Sequence, residues 1–125
     1  MLTLMGCVLV VDDDTAIRGL VETVLVDEGY EVATATNGRH ALEVLASVKP
    51  EVILLDIFMP VMNGPDFAAA YRQMPGPHAP IVVITAGLDG VQKARDIAAD
   101  GLLTKPFDLQ DLLDAVEKHA SAERA

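Results

Sequence analysis

Three runs of the chain are apolar at every position: Cys7 to Val11, Val52 to Leu55 and Ile81 to Ile84. A strand covered on one face alternates apolar and polar residues, whereas one covered on both faces reads as an unbroken apolar run. These segments therefore predict central strands of a parallel sheet. Two weaker segments, Val32 to Thr36 and Leu102 to Thr104, suit its edges. Between the strands the period changes. Ile17, Leu20, Val21, Val24 and Leu25 recur at helical spacing, and Gly29 closes that helix. Ala41, Leu42, Leu45 and Val48 form a second stripe, stopped by Pro50. Phe67, Ala68 and Tyr71 belong to a third helix starting at Pro65, a good first-turn residue. Val91, Ala94, Ile97 and Ala98 give a short fourth, and Leu109, Leu112, Leu113 and Val116 a fifth, with Asp108 as its N-cap.

Five strand-then-helix units joined by short connections predict an α/β domain with a doubly wound parallel sheet. Five strands favour the flavodoxin-like order 2-1-3-4-5, with five helices, and this order puts the three most apolar runs in the centre. The 125 residues fit one domain, expected over 1–119, with 120–125 a frayed tail or linker stub. About half the residues are apolar, which sets disorder aside. Apolar runs of four or five residues are far too short to span a membrane. Met1 to Met5 has no basic region before it and does not read as a secretion signal. A single cysteine, Cys7, excludes an internal disulfide and suits a reducing cytoplasm; it reads as a small buried hydrophobe heading a strand. The formal net charge of −10 repels phosphate backbones and anionic membranes, so direct binding of nucleic acid and membrane insertion are not expected.

Sheets of this kind bind ligands beyond the carboxyl ends of their strands. There the first strand ends in Asp12, Asp13 and Asp14, the third in Asp56, the fourth in Thr85 and the fifth in Lys105 and Pro106. Crowded carboxylates repel unless a cation or proton compensates. All-oxygen ligation with room for water suits Mg²⁺. Lys105 is the odd member of this acidic group, and its compact charge suits an incoming phosphoryl oxygen, while Thr85 can donate a hydrogen bond to another. Asp56 is then the candidate nucleophile, because an aspartate can form an acyl phosphate. The constellation predicts phosphoryl transfer onto the protein itself.

Val10-Val11-Asp12-Asp13, Leu54-Leu55-Asp56-Ile57-Phe58-Met59-Pro60, Gly64, Ile84-Thr85-Ala86 and Lys105-Pro106-Phe107 together resemble the receiver domain of a two-component response regulator. The resemblance runs from Cys7 to about His119. It implies Asp56 as phospho-acceptor, Asp13 and Asp56 as Mg²⁺ ligands together with the backbone carbonyl of Phe58, and Asp12 acting mainly through a bound water. It implies that Lys105 and Thr85 contact phosphoryl oxygens, that the small Ala86 leaves the group space, and that the Lys105–Pro106 bond is cis. The implied donor is a sensor histidine kinase or phosphotransfer protein, and the implied reader a protein target or fused output domain, with a phosphorylation-dependent homodimer also compatible. Such a domain is not an enzyme on free substrates, apart from its own Mg²⁺-dependent phosphorylation and dephosphorylation.

The chain departs from that family in places. Leu102 stands where receiver domains commonly carry an aromatic residue whose rotamer follows the phosphorylation state. The stretch from Thr85 to Lys105 is slightly short and holds Gly87 and Gly90, predicting a fourth helix that starts late or is mobile. Phe58 and Gly87 offer no polar side chain to orient an attacking water, which predicts slow self-dephosphorylation. Asp14 reads as the N-cap of the first helix. His40, His78 and His119 lack ligand spacing and read as solvated surface residues, and Asn63-Gly64 as a turn relying on glycine's backbone freedom. Two other functions stay open. Asp12 and Asp14 faintly resemble the aspartate pair of haloacid-dehalogenase-type phosphatases, although Ala16 stands where Thr or Val is expected. A receiver fold used only for interaction is the other.

Overall fold

Because the three fully apolar runs have no polar side to offer water, they fold into the middle of one sheet. The computed structural model describes residues 6–124, with side chains for residues 6–120. The expectation about Met1 to Met5 therefore lies outside the described residues, as does Ala125. The strands are β1 (Cys7–Val11), β2 (Glu31–Ala35), β3 (Val52–Asp56), β4 (Ile81–Thr85) and β5 (Gly101–Thr104), and the helices α1 (Thr15–Asp27), α2 (Gly38–Val44), α3 (Gly64–Gln73), α4 (Gly87–Asp96) and α5 (Leu109–Arg124). All pairings are parallel and the order is β2-β1-β3-β4-β5, as the sequence predicted.

Alternate residues of the central strands feed two cores. Leu9, Val11, Ile53, Leu55, Ile81 and Val83 pack with Ala41, Phe67, Tyr71 and Ala94 of α2, α3 and α4. Val8, Val10, Val52, Leu54, Val82 and Ile84 pack on the other face with Val21 and Leu25 of α1 and Leu112 and Val116 of α5. Ala120 of α5 is also fully buried in this second core. Among the described residues no helix is long and apolar enough to cross a membrane.

The helix ends explain the connections. Asp14 Oδ1 accepts from the Ala16 and Ile17 amides and caps α1. At its far end Gly29 adopts φ 102°, with Gly29 N donating to the Val26 carbonyl and Tyr30 N to that of Leu25. This Schellman arrangement needs the left-handed residue that glycine supplies. Asp108 caps α5, its Oδ1 accepting from Asp111 N at 2.8 Å.

Several expectations are corrected. The second helix stops at Val44, with Leu45 as its C-cap, well before Pro50; residues 45 to 47 continue as turns, with Ser47 N and Val48 N both donating to the Val44 carbonyl. The fourth helix does not start late. It begins at Gly87, directly after the strand, where φ of 80° turns the chain at once. It ends at Asp96, with Ile97 as cap and Ala98 at φ 52° outside the helix. Asn63 is more than a turn residue: its Oδ1 accepts from Asp66 N and caps α3. His78 and His119 are half-buried rather than solvated. His78 Nε2 donates to the Met74 carbonyl at 2.6 Å and its ring meets Tyr71 edge-on. His119 lies against Gly101, and burial lowers its imidazole pKa. Cys7 is half-buried, with its thiol pKa raised mainly by burial.

Candidate functional site

Parallel register builds the site. Val11 stands opposite Leu55, so the next residues, Asp12 and Asp56, emerge side by side at the sheet's carboxyl edge. Asp56 is opposite Ile84 and Thr85 opposite Thr104, which brings Thr85 and then Lys105 to the same rim. The ladder persists here: Asp12 N donates to the Ala35 carbonyl at 3.1 Å and Lys105 N to the Thr85 carbonyl at 2.8 Å. One carboxylate oxygen from each of Asp12, Asp13 and Asp56 lies within 4.8 Å of the others.

The three acids sit in different surroundings. Asp12 and Asp56 are buried and Asp13 is exposed. Asp12 Oδ1 accepts from Asp14 N at 2.9 Å, while its Oδ2 is buried with no hydrogen-bond partner. Burial, followed by repulsion from Asp12, raises the Asp56 carboxyl to about 6; Lys105 pulls it the other way. Asp12 is raised too, again chiefly by burial and against Lys105. Two buried acids thus share one cation and remain short of positive charge. Asp14 lies outside this cluster, and its carboxylate caps α1.

Thr85 is buried, and its Oγ1 has no hydrogen-bond partner. Lys105 is half-buried, and the bond to Pro106 is cis. Ala86 is exposed beside the site, and Phe58 follows Asp56 by two residues with half its surface in water. Leu102 lies on β5 with 43 % of its surface exposed.

A family model described as the response regulator receiver domain matches residues 8–117. The chain belongs to this family. It is 33% identical over 114 residues to sporulation initiation phosphotransferase F of Bacillus subtilis, covering 90% of this chain and 91% of that one. It is 40% identical over 109 residues to the response regulator MprA of Mycolicibacterium vanbaalenii, covering 85% of this chain and 46% of that protein. Among solved structures it is similar to the chemotaxis response regulator CheY4 of Vibrio cholerae, with a TM-score of 0.83 and 38% identity over 91% of this chain and 98% of that one. The chain spans about half the length of the mycobacterial relative and a quarter of the Escherichia coli transcriptional regulator NtrC. It is therefore a receiver domain of the response regulator type, the signal-receiving unit of two-component signalling.

One contributor to this receiver-domain site, Arg18, and the role of another, Gly64, were not apparent in the sequence. Arg18 folds back from α1 so that its guanidinium donates to the Asp12 carbonyl at 2.7 Å. Gly64 was read as supplying backbone freedom, but it serves a close approach. A Cβ there would lie 2.7 Å from the Asp56 carbonyl oxygen and 2.9 Å from Ile57 Cα. With only hydrogen at that position, Gly64 N donates to the Ile57 carbonyl at 2.9 Å and α3 buttresses the acidic strand end. Gly64 was signalled by the Asn63-Gly64 pair and by its place in the receiver-domain resemblance, neither of which shows the close approach; Arg18 had no signal, since nothing distinguishes it from other helix-surface arginines.

Proposed function

We propose that Asp56 accepts a phosphoryl group and that this receiver domain is a phosphorylation-dependent switch. The observation carrying this reading is the cluster of Asp12, Asp13 and Asp56 within 4.8 Å at a strand end, opposed by Lys105. With its carboxyl at about 6, Asp56 is mainly ionised at neutral pH and is available as a nucleophile.

The donor set fits Mg²⁺. It is all oxygen, it includes the unpartnered Asp12 Oδ2, and its carboxyls are raised for want of positive charge. Asp13, Asp56 and the Phe58 backbone carbonyl would hold the ion, with Asp12 acting through a bound water. When bound, it would offset the charge of carboxylates and phosphoryl oxygens. An Asp56 carboxylate oxygen attacks phosphorus and forms the acyl phosphate, while the bond from phosphorus to the donor's leaving atom breaks. The leaving group keeps that electron pair and takes a proton from water. Lys105 pairs with one phosphoryl oxygen, the Thr85 hydroxyl donates to another, and the small Ala86 leaves room for the group.

The donor is a sensor histidine kinase or a phosphotransfer protein, a reading supported by the likeness to a sporulation phosphotransferase over nearly the whole of both chains. The signal is read by a protein target, a fused output domain or a second copy, in the cytoplasm. Incubation with Mg²⁺ and a small-molecule phosphodonor, followed by intact-mass spectrometry, tests this. One phosphoryl increment is expected on the parent and none on Asp56→Asn or with chelator. An increment that survives Asp56→Asn refutes the assignment.

A further inference from the structure

Strand β1 ends at Val11, which leaves the carbonyl of Asp12 past the last rung of its ladders. The Asp12 amide still has a strand partner, donating to the Ala35 carbonyl at 3.1 Å. A carbonyl withdrawn from water needs a donor as well. Helix α1 supplies it. Arg18, half-buried in the first turns of the helix, folds back six residues so that its guanidinium donates to that carbonyl at 2.7 Å, the short distance of a charge-assisted bond.

Arg18 has other partners within reach along its own helix. Asp14 stands four residues before it and Glu22 four after, the spacing at which helix ion pairs form. Among the described residues Arg18 forms an ion pair with neither. Asp12 is thereby held through its amide by β2, through its carbonyl by Arg18, and through Oδ1 by the Asp14 amide at 2.9 Å. Its Oδ2 is buried and has no hydrogen-bond partner. The Asp12 carbonyl and the Asp13 amide belong to one planar peptide. The same contact therefore sets the direction in which Asp13 leaves the strand to meet Asp12 and Asp56 within 4.8 Å.

We propose that Arg18 is the positioning residue of the acidic pair: by pinning the Asp12–Asp13 peptide it holds both carboxylates in the arrangement that takes Mg²⁺. The proposal rests on the reading of the cluster as a Mg²⁺ site. A purely electrostatic role for Arg18 has the opposite sign. A guanidinium near a cation site repels the cation, so losing its charge alone tightens Mg²⁺ binding. Losing the positioning contact weakens it.

Two-dimensional NMR of the full chain tests this, with Mg²⁺ titrated and amide shifts giving its dissociation constant, beside urea melts in chelator. Arg18→Met keeps an apolar stem and loses the donor, and its dissociation constant is expected to rise about tenfold. Arg18→Lys keeps a charged donor and should return to within about threefold of the parent. In metal-free Arg18→Met the carbonyl carbon resonance of Asp12 should move upfield as its hydrogen bond is lost. Unchanged or tighter Mg²⁺ binding by Arg18→Met overturns the proposal, even where the urea melt shows lost stability. Equal weakening in both variants with the Asp12 resonance unmoved also overturns it. A parent that takes up no Mg²⁺ removes the metal reading of the cluster, and this proposal falls with it.

Discussion

Neutralising Asp56 should stabilise the metal-free protein, by an amount that depends on pH. Asp56 is buried beside Asp12, and its carboxyl is raised from 3.8 to about 6. A shift of that size corresponds to roughly 3 kcal/mol of disfavoured ionisation. Solvent reaching the rim screens part of it, leaving about 1–2 kcal/mol. The sign follows from proton binding. Between the two pKa values the folded state holds the proton more tightly than the unfolded state, so stability falls as pH rises from about 4 to about 6 and is level above. Asp56→Asn removes this loss. In urea melts followed by far-UV circular dichroism with chelator present, the variant should exceed the parent by about 1–2 kcal/mol at pH 7.5, or roughly 3–8 °C in Tm. The difference should vanish near pH 3.5. Mg²⁺ at pH 7.5 should stabilise the parent more than the variant and narrow the gap. A variant no more stable than the parent at pH 7.5, or an equal gap at both pH values, would refute the charge argument.

Three further outcomes follow from the loop and helix that frame Asp56. Val61 adopts φ 69° in a γ-turn closed by Met62 N donating to the Pro60 carbonyl, and its side chain is 74% exposed. Val61→Gly should therefore stabilise by about 0.5–1 kcal/mol in urea melts, glycine's chain entropy offsetting part of the relieved strain; a loss of stability would contradict this. Gly64→Ala forces a Cβ against backbone at Asp56 and Ile57, and should destabilise by about 2–3 kcal/mol while slowing phosphoryl uptake; an unchanged melt would count against the close-approach account. Phe58 flanks Asp56 with an apolar ring and no group to orient water, so the acyl phosphate should last minutes or longer, and Phe58→Asn should shorten its lifetime. A parent lifetime of seconds, measured by loss of the mass increment, would sink that idea.

What the sequence made legible was whatever depends on order along the chain. Asp12, Asp56, Thr85 and Lys105 stood out because each ends an apolar run, and a parallel register brings successive strand ends to one rim. Asp14 and Asp108 were legible as caps because capping is local. What depends on distance through space was hidden. Gly64 and Gly90 matter for what lies against them, Asp56 and Thr85, and neither has the positive φ that would have made conformational freedom the reason. The expectation that Gly87 and Gly90 delay the fourth helix weighed their poor propensity, but the missing Cβ at Gly90 lets the helix settle on the strand end immediately. His78 and His119 read as solvated in the sequence because no local pattern announces the Tyr71 ring beside His78 or the Gly101 backbone against His119. Leu102 remained visible as a departure, and its exposure on β5 gives that departure physical content.

The central claim is that Asp56 itself carries the phosphoryl group. Borohydride reduction converts an aspartyl phosphate into homoserine, so reducing the protein after exposure to Mg²⁺ and phosphodonor and sequencing its peptides by mass spectrometry reads the acceptor directly. Homoserine at position 56, absent when donor or Mg²⁺ is omitted, is the predicted result. Homoserine at position 12 or 13, or an unmodified peptide 52–60 from protein that carries the mass increment, would contradict it.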